Sequence, residues 1–204
     1  MTAKLIPVPL IIGGGLAGAA AAIDLARAGH RPLLLERETG AHDKICGEFL
    51  SGEAVIALAA LGVDARGLGA VPIIRVEINA GHRQAAAALP FPALSLSRRV
   101  LDVAMLGRAA AAGADVQRGV SVRTLGDGAA QTTAGDIIAP ALLLATGKHD
   151  VRGLPRPDGP DEIGFKMYFR SPALSRRLAG TVAVKTLGTL CPSASTVSGC
   201  VSAA

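Results

Sequence analysis

Short apolar runs alternate with an Ala-rich stretch in the first part of the chain. Residues 9–12 form one apolar run, residues 19–27 are Ala-rich with helical character, and residues 32–35 form a second apolar run. Gly29 stops the helix before the second run begins. This order predicts a strand, a helix and another strand, which together make the βαβ unit of a parallel sheet.

The pattern beyond this unit predicts further helices and strands. Turn-forming residues separate the segments, and the hairpin among them is not expected to belong to the parallel sheet. The predicted elements are a helix from its N-cap Ser51 to Leu61, hairpin strands at 71–79 and 83–89 closed by Pro90 and Pro92, a second helix from Leu96 to Gly113, strand material at 115–122, a hairpin turn at 126–128, and an apolar strand at 137–145.

The turn after the first strand has the sequence Gly13-x-Gly15-x-x-Gly18, and Glu36 ends the second strand. Gly13 permits a tight turn, Gly15 lets a pyrophosphate approach the backbone, and Gly18 allows close packing of helix on strand. The helix N-terminus can hold a diphosphate with backbone N–H groups alone. Glu36 can accept the ribose hydroxyls of an adenosine. The stretch is a complete dinucleotide-binding fingerprint; the alternative is a glycine-rich turn that binds nothing.

Composition and charge exclude several other classes of protein. With 204 residues the chain has room for one domain and the beginning of a second, and four Phe with one Tyr leave the core to aliphatic residues. The net charge of +5 comes from dispersed arginines, which disfavours a nucleic-acid-binding face. Three cysteines without CxxC spacing indicate a reducing cytoplasm and argue against a metal site or a disulfide framework.

One segment has the apolar character of a membrane span or a signal peptide. Residues 5–23 carry no charge and follow Lys4. Three consecutive glycines and two prolines inside the segment, and Asp24 directly after it, argue against both alternatives. The sequence therefore predicts a soluble protein without a transmembrane segment.

Four motifs in a fixed order resemble one known family. They are the glycine fingerprint with Glu36, then Lys44-x-Cys46-Gly47-Glu48, then Ser97-Arg98-x-x-Leu101-Asp102, and finally Ala145-Thr146-Gly147. In this order they resemble the FAD-dependent oxidoreductases of the para-hydroxybenzoate hydroxylase type of fold, and within it the geranylgeranyl-reductase-like branch. The resemblance implies an α/β fold: a Rossmann-like FAD/NAD(P)-binding domain with a parallel sheet, a β-meander at 120–133, and the start of an incomplete antiparallel substrate sheet.

The resemblance also implies a set of cofactor-binding residues, with FAD as the cofactor and NAD(P)H as a candidate electron donor. Glu36 and Arg37 would hold the adenosine end. Arg98 would lie against the cofactor; the alternative is a surface arginine behind the helix cap Ser97. Cys46 would lie near the flavin ring as the catalytic candidate; the alternative is a small buried hydrophobe. The implied set is Gly13, Gly15, Leu16, Ala17, Gly18, Glu36, Arg37, Lys44, Cys46, Gly47, Arg98, Ala145, Thr146 and Gly147.

The family carries a second FAD motif, a Gly-Asp pair beyond the substrate sheet, that has no counterpart here. Gly135-Asp136 lies before the strand that ends at Ala145, and so in the wrong element. We therefore expect a truncated chain whose tail arises from a shifted reading frame or is a disordered Ser/Thr-rich terminus. The expected organisation is an FAD-binding domain at 1–160 with a 70–96 hairpin on the substrate side, the start of a substrate domain at 161–180, and an atypical tail at 181–204.

The resulting hypothesis is a flavoprotein that reduces an apolar substrate through its flavin, as the Lys44-x-Cys46-Gly47 motif of the reductase-like branch implies. An FAD-dependent monooxygenase of the aromatic hydroxylase type is the first alternative. A non-catalytic nucleotide-binding fragment is the second. The expected partner is a small apolar or aromatic molecule.

Overall fold

The computed structural model describes residues 3–80, 82–126, 129–154, 163–185, 188–192 and 197–203. Among these residues no helix is both long and apolar enough to cross a membrane. The helices are α1 (Leu16–Arg27), α2 (Gly52–Ala60), α3 (Arg98–Ala112) and α4 (Pro172–Arg177). The strands are β1 (Lys4–Leu5), β2 (Leu10–Ile12), β3 (Leu33–Glu36), β4 (Phe49–Leu50), β5 (Val71–Ala80), β6 (Arg83–Ser95), β7 (Asp115–Arg118), β8 (Val122–Gly126), β9 (Ala129–Thr132), β10 (Gly135–Ile138), β11 (Leu142–Leu144), β12 (Ile163–Phe169), β13 (Thr181–Lys185), β14 (Gly188–Pro192) and β15 (Val197–Ala203).

The chain divides into two compact units. The first comprises Met1–His42 and Asp102–Asp158, and the second comprises Asp43–Leu101 and Gly159–Ala204. Backbone pairing of β5 with β13 joins residues 43–101 to the C-terminal part, and the expected domain organisation stays a prediction.

The first unit contains a four-stranded parallel sheet in the order β11-β2-β3-β7. β2 and β3 are buried along their whole length, as continuous apolar runs predict for a sheet covered on both faces. α1 buries Gly18, Ala19, Ala22 and Ile23, which form one stripe along the helix, and packs on β2 and β3. The predicted βαβ unit and parallel sheet are confirmed.

An antiparallel meander of β8, β9 and β10 lies in the same unit, and β1 pairs with β10 in parallel. The predicted meander is confirmed, and it extends to Ile138. The single apolar strand predicted at 137–145 is wrong. Residues 139–141 separate β10 from β11, because Pro140 has no N–H to donate to a ladder. The predicted turn at 126–128 lies mostly outside the described residues.

The second unit contains a seven-stranded sheet in the order β12-β15-β14-β13-β5-β6-β4. The predicted hairpin is confirmed as β5 and β6, and Ser51 caps α2 by accepting a hydrogen bond from Ala54 N at 3.3 Å. Pro90 and Pro92, expected to close the hairpin strand, lie inside β6 instead. The pairing with β5 skips residues 89–92, so this irregularity leaves both prolines out of the ladder.

Residues from 181 onward, which lack a clear period in the sequence, contribute β13, β14 and β15 to this sheet. Three strands of the sheet thus lie in the segment that the sequence analysis expected to be an atypical tail. β13 lies between β5 and β14 and buries Thr181, Val182 and Ala183. Consecutive burial of this kind leaves no alternation of apolar and polar residues to be recognised in the sequence.

The two edge strands of this sheet, β4 and β12, approach each other. In a flat sheet, six strand spacings of roughly 4.8 Å would separate them by about 29 Å. Glu48, directly before β4, nevertheless forms an ion pair of 2.6 Å with Lys166 on β12. The sheet therefore curls until its two edges face each other.

Candidate functional site

The glycine-rich turn between β2 and α1 has no room for side chains. Gly13 has a φ of 104°, and a Cβ added there would collide with the carbonyl oxygen of Ala145. A Cβ on Gly18 would collide with the carbonyl oxygen of Gly13 and would lie 3.2 Å from the Cβ of Ala145. Both positions therefore require glycine.

The N-terminus of α1 presents backbone amides without a side-chain cap. Gly15 is the N-cap residue with extended backbone at a φ of −69°, and the first turn contains no acidic residue. Leu16 and Ala17 are the first helical residues, whose N–H groups have no acceptor within a helix. A helix end of this kind attracts an anion such as a diphosphate.

Glu36 is buried at the end of β3, and both of its carboxylate oxygens accept backbone hydrogen bonds. Oε2 accepts from Gly14 N at 2.7 Å, and Oε1 accepts from Glu38 N at 2.9 Å. A Cβ on Gly14 would lie 2.8 Å from Oε2, so this glycine, to which the sequence analysis gave no role, makes the contact possible. Each oxygen keeps lone-pair capacity for a ligand hydroxyl.

The Ala145-Thr146-Gly147 segment lies beside the glycine-rich turn. It follows β11, the parallel neighbour of β2, and Ala145 N donates to Ile12 O at 2.8 Å. Thr146 Oγ1 donates to His149 O at 2.7 Å, and Gly147 has a φ of 63°. Because β3 and β11 flank β2 on opposite sides, this is the switch point of the parallel sheet, where open α/β folds bind ligands.

Arg37 is exposed and contacts two neighbours in the first unit. Nε donates to Glu38 Oε1 at 3.0 Å, and Nη2 lies 2.9 Å from His149 Nε2. Since a guanidinium can only donate, His149 Nε2 is the acceptor. The sequence analysis missed His149, which no motif marks. The predicted residues that the first unit contains are Gly13, Gly15, Leu16, Ala17, Gly18, Glu36, Arg37, Ala145, Thr146 and Gly147.

The remaining predicted residues belong to the second unit. Cys46 is half-buried, and its Sγ accepts a hydrogen bond from Glu48 N at 3.4 Å. Arg98 begins α3, and Ser97 Oγ accepts a hydrogen bond from Val100 N at 3.3 Å, so Ser97 caps this helix. Their roles toward a cofactor stay predictions. These residues are Lys44, Cys46, Gly47 and Arg98.

A buried ionic cluster, not predicted from the sequence, lies in the second unit. Glu48 Oε1 accepts hydrogen bonds from Lys166 Nζ at 2.6 Å and from the Tyr168 hydroxyl at 2.7 Å. The side chains of Glu48 and Lys166 are 0% and 5% exposed. The Tyr168 hydroxyl also lies 3.1 Å from Asp43 Oδ1. Lys166 and Tyr168 are two residues apart on β12 and so share one face of the strand.

The single tyrosine of the chain provides a test of this cluster. Burial, with the hydrogen bond and negative charge of Glu48, raises the pKa of Tyr168 above its usual value. The cluster stabilises the protonated form of Tyr168. Because the pKa of Tyr168 is higher in the folded than in the unfolded chain, its contribution to the free energy of unfolding is complete below about pH 10 and is lost as pH rises further. We expect ultraviolet titration of the ligand-free chain, which has no tryptophan, to show no tyrosinate at about pH 10.

A second titration identifies the cause of the raised pKa. Glu48→Gln removes the negative charge beside the hydroxyl and is expected to lower the pKa of Tyr168. Ionisation of folded, unaltered protein near pH 10 would contradict the contact between Tyr168 and Glu48.

The sequence matches one family. Residues 7–135, more than half of the chain, match the family described as FAD binding domain. No curated protein matches the sequence.

Solved structures share the fold. The myxobacterial chondrochloren halogenase, described as a variant of FAD-dependent halogenases, is 19% identical with a TM-score of 0.77 over 98% of this chain and 53% of its own. A flavoprotein/dehydrogenase from Cytophaga hutchinsonii is 17% identical, with a TM-score of 0.77 over 97% of this chain and 56% of its own. p-Nitrophenol 4-monooxygenase from Pseudomonas putida is 17% identical, with a TM-score of 0.72 over 98% of this chain and 58% of its own. This chain spans little more than half the length of each of them.

Proposed function

Since this chain belongs to the FAD-binding domain family and FAD is its cofactor, we propose that it carries the flavin of an oxidoreductase that acts on a small organic substrate. The observation that carries the proposal is the uncapped N-terminus of α1 beside the buried Glu36 at the switch point of the parallel sheet. Backbone amides fit the diphosphate of FAD, and a carboxylate acceptor fits its ribose hydroxyls.

Each part of the proposed site has one task. The first-turn amides of α1 bind the pyrophosphate, Gly15 lets it approach the backbone, and Gly13 and Gly18 allow the turn and α1 to pack closely. Arg37 stands beside Glu36 at the adenosine end, and the Ala145-Thr146-Gly147 segment lies against the glycine-rich turn. In the second unit, the motifs that resemble the family support Lys44, Cys46, Gly47 and Arg98 as flavin-side residues. The same resemblance supports the curled sheet as the substrate side.

Two reactions are candidates. Bound FAD supplies two-electron chemistry, taking electrons from a donor such as NAD(P)H and passing them to oxygen or to a substrate. The fold shared with p-nitrophenol 4-monooxygenase and with a halogenase supports an oxygen-dependent reaction on an aromatic substrate. The Lys44-x-Cys46-Gly47 motif favours reduction of an apolar substrate as the second candidate. Substrate-dependent NAD(P)H oxidation that stops without oxygen supports the first, and oxidation that continues anaerobically supports the second.

Glu36→Ala tests the nucleotide site. We expect it to weaken FAD binding by about ten- to a hundredfold, because a hydrogen bond to a charged acceptor contributes about 1.5–3 kcal/mol. Calorimetric titration of the purified chain with FAD measures the change.

The matched control is Glu38→Ala, whose partly exposed carboxylate pairs with Arg37 and whose backbone N–H still reaches Glu36. An exposed pair contributes at most about 1 kcal/mol, so FAD affinity should change by less than about fivefold. Unchanged affinity in Glu36→Ala would remove Glu36 from the site, and an unaltered chain that does not bind FAD would contradict the proposed function.

A further inference from the structure

The backbone of His149 is held close to the glycine-rich turn. Its N–H donates to Thr146 O at 3.3 Å, and Thr146 Oγ1 donates to His149 O at 2.7 Å, so residues 146–149 form a closed turn. Thr146 lies against the glycine-rich turn, because a Cβ added to Gly13 would be 3.1 Å from the Thr146 Cα. His149 is therefore one turn of backbone away from the proposed pyrophosphate site.

The imidazole ring of His149 joins two loops that flank this site. His149 belongs to the loop after β11, whereas Arg37, whose Nη2 is 2.9 Å from its Nε2, belongs to the loop after β3. Because β2 lies between β3 and β11, this contact crosses the carboxyl end of β2, where the glycine-rich turn begins. Two strand spacings separate the loops by roughly 10 Å, a gap that long side chains can span. Both side chains are exposed, so a ligand at the N-terminus of α1 can reach them.

The contact with Arg37 needs a neutral imidazole. Nε2 accepts the bond with its lone pair, whereas a protonated ring has no lone pair to offer and would place a second positive charge beside the guanidinium. A diphosphate reverses this preference, because its negative charges favour the protonated ring. Histidine ordinarily titrates near pH 6.5, so a change of surroundings of this kind alters its charge close to neutral pH.

Several other charged groups surround His149. They are Lys148 and Asp150 on its own loop, Glu36, Arg37 and Glu38 on the facing segment, and Arg118 of β7, which donates to Glu38 O. Carboxyl, ammonium and guanidinium groups ordinarily change charge well outside the range from about pH 6 to about pH 8. Imidazole is the group type of this set that ordinarily titrates inside that range.

We propose that His149 is a proton-dependent ligand of the FAD diphosphate: when FAD binds, the imidazole releases Arg37, takes up one proton from solvent and donates to a phosphate oxygen. This inference rests on the proposed function and adds regulation by pH to the same site. Binding that takes up a proton becomes weaker as pH rises. The cofactor is therefore held less tightly above neutral pH than below it.

Calorimetric titration of the full chain with FAD measures both the affinity and the proton uptake. We expect FAD to bind about tenfold more tightly at about pH 6 than at about pH 8, since one proton changes the affinity by at most tenfold per pH unit. Titrations at about pH 7 in phosphate and in Tris differ in heat by the ionisation enthalpies of the buffers, and we expect this difference to correspond to about half a proton or more.

His149→Gln is expected to bind FAD with the same affinity at both pH values and to take up no proton. Its amide oxygen can still accept from Arg37, but the amide cannot be protonated in this range. His30→Gln is the matched control, because His30 is an exposed histidine of the same unit at the opposite end of β3. We expect this control to keep the pH dependence and the proton uptake, which a residue that only supported the fold would not produce.

Equal affinity at the two pH values, tighter binding at the higher one or absence of proton uptake would overturn the inference, as would a pH dependence that survives in His149→Gln. If His149→Gln does not fold, the proton count on the unaltered chain decides alone. FAD binding that does not depend on pH contradicts this inference only. A chain that binds no FAD at either pH contradicts the proposed function and this inference together.

Discussion

Replacement of Gly18 by alanine is expected to abolish FAD binding. The added Cβ would lie on the carbonyl oxygen of Gly13 and 3.1 Å from its carbonyl carbon, so α1 and the turn would have to separate. Overpacking of this kind costs about 1–3 kcal/mol of folding free energy. Loss of two amide contacts to a pyrophosphate, each worth about 1.5–3 kcal/mol, lowers FAD affinity at least about a hundredfold. Flavin fluorescence titration and urea unfolding measure the two effects.

Gly107→Ala is the matched control for this experiment. Gly107 also lies within a helix, α3, and a Cβ there would meet no atom within 4 Å. We expect unchanged FAD affinity and a gain of about 0.5–1 kcal/mol in stability, since alanine is the better helix former. If Gly18→Ala binds FAD as well as Gly107→Ala does, the turn is not the pyrophosphate site.

Lys166→Met is expected to lower the free energy of unfolding by about 3–5 kcal/mol, because it leaves a buried carboxylate without its countercharge. Solvent screens this loss little, since the Lys166 and Glu48 side chains are 5% and 0% exposed. Urea unfolding of the ligand-free chain measures the effect. Arg177→Met is the control, because it removes an ion pair in which the arginine is 65% exposed, and we expect it to cost about 0–1 kcal/mol.

A double variant identifies the origin of that loss. Lys166→Met combined with Glu48→Gln contains no buried ion, so it should be more stable than Lys166→Met alone. A double variant that loses the sum of the two single effects would show that lost packing, and not an unpaired charge, destabilises the protein.

The geometry of the glycine-rich turn and of Glu36 could be predicted because its signals are mostly local. The contact of Gly18 with the carbonyl oxygen of Gly13 and the position of Glu36 are contained in one βαβ unit, whereas the atom that excludes a side chain at Gly13 belongs to Ala145, after β11. Ser51 and Ser97 likewise cap helices through the backbone three residues ahead. A motif whose meaning depends only on adjacent elements can be interpreted before the fold is known.

The ionic cluster could not be predicted, because its parts are brought together by strand order. Glu48 and Lys166 are 118 residues apart, and only the curl of the seven-stranded sheet joins them. Pro90 is tolerated inside β6 for a similar reason, since the pairing with β5 passes over it. One signal was available: Lys166 and Tyr168 are alternate polar positions in an otherwise apolar strand.

The second unit consists of two segments, with residues 102–158 of the first unit between them, and this arrangement sets an order of events during protein synthesis. β13 covers the outer edge of β5, yet it leaves the ribosome long after β5 does. At about 5–20 residues per second, β5 waits roughly 5–20 s for its neighbour, whereas the first unit is complete at Asp158 and can fold in the meantime. An open strand edge readily recruits foreign strands. During that interval the edge of β5 that β13 later covers is open to pairing with other strands.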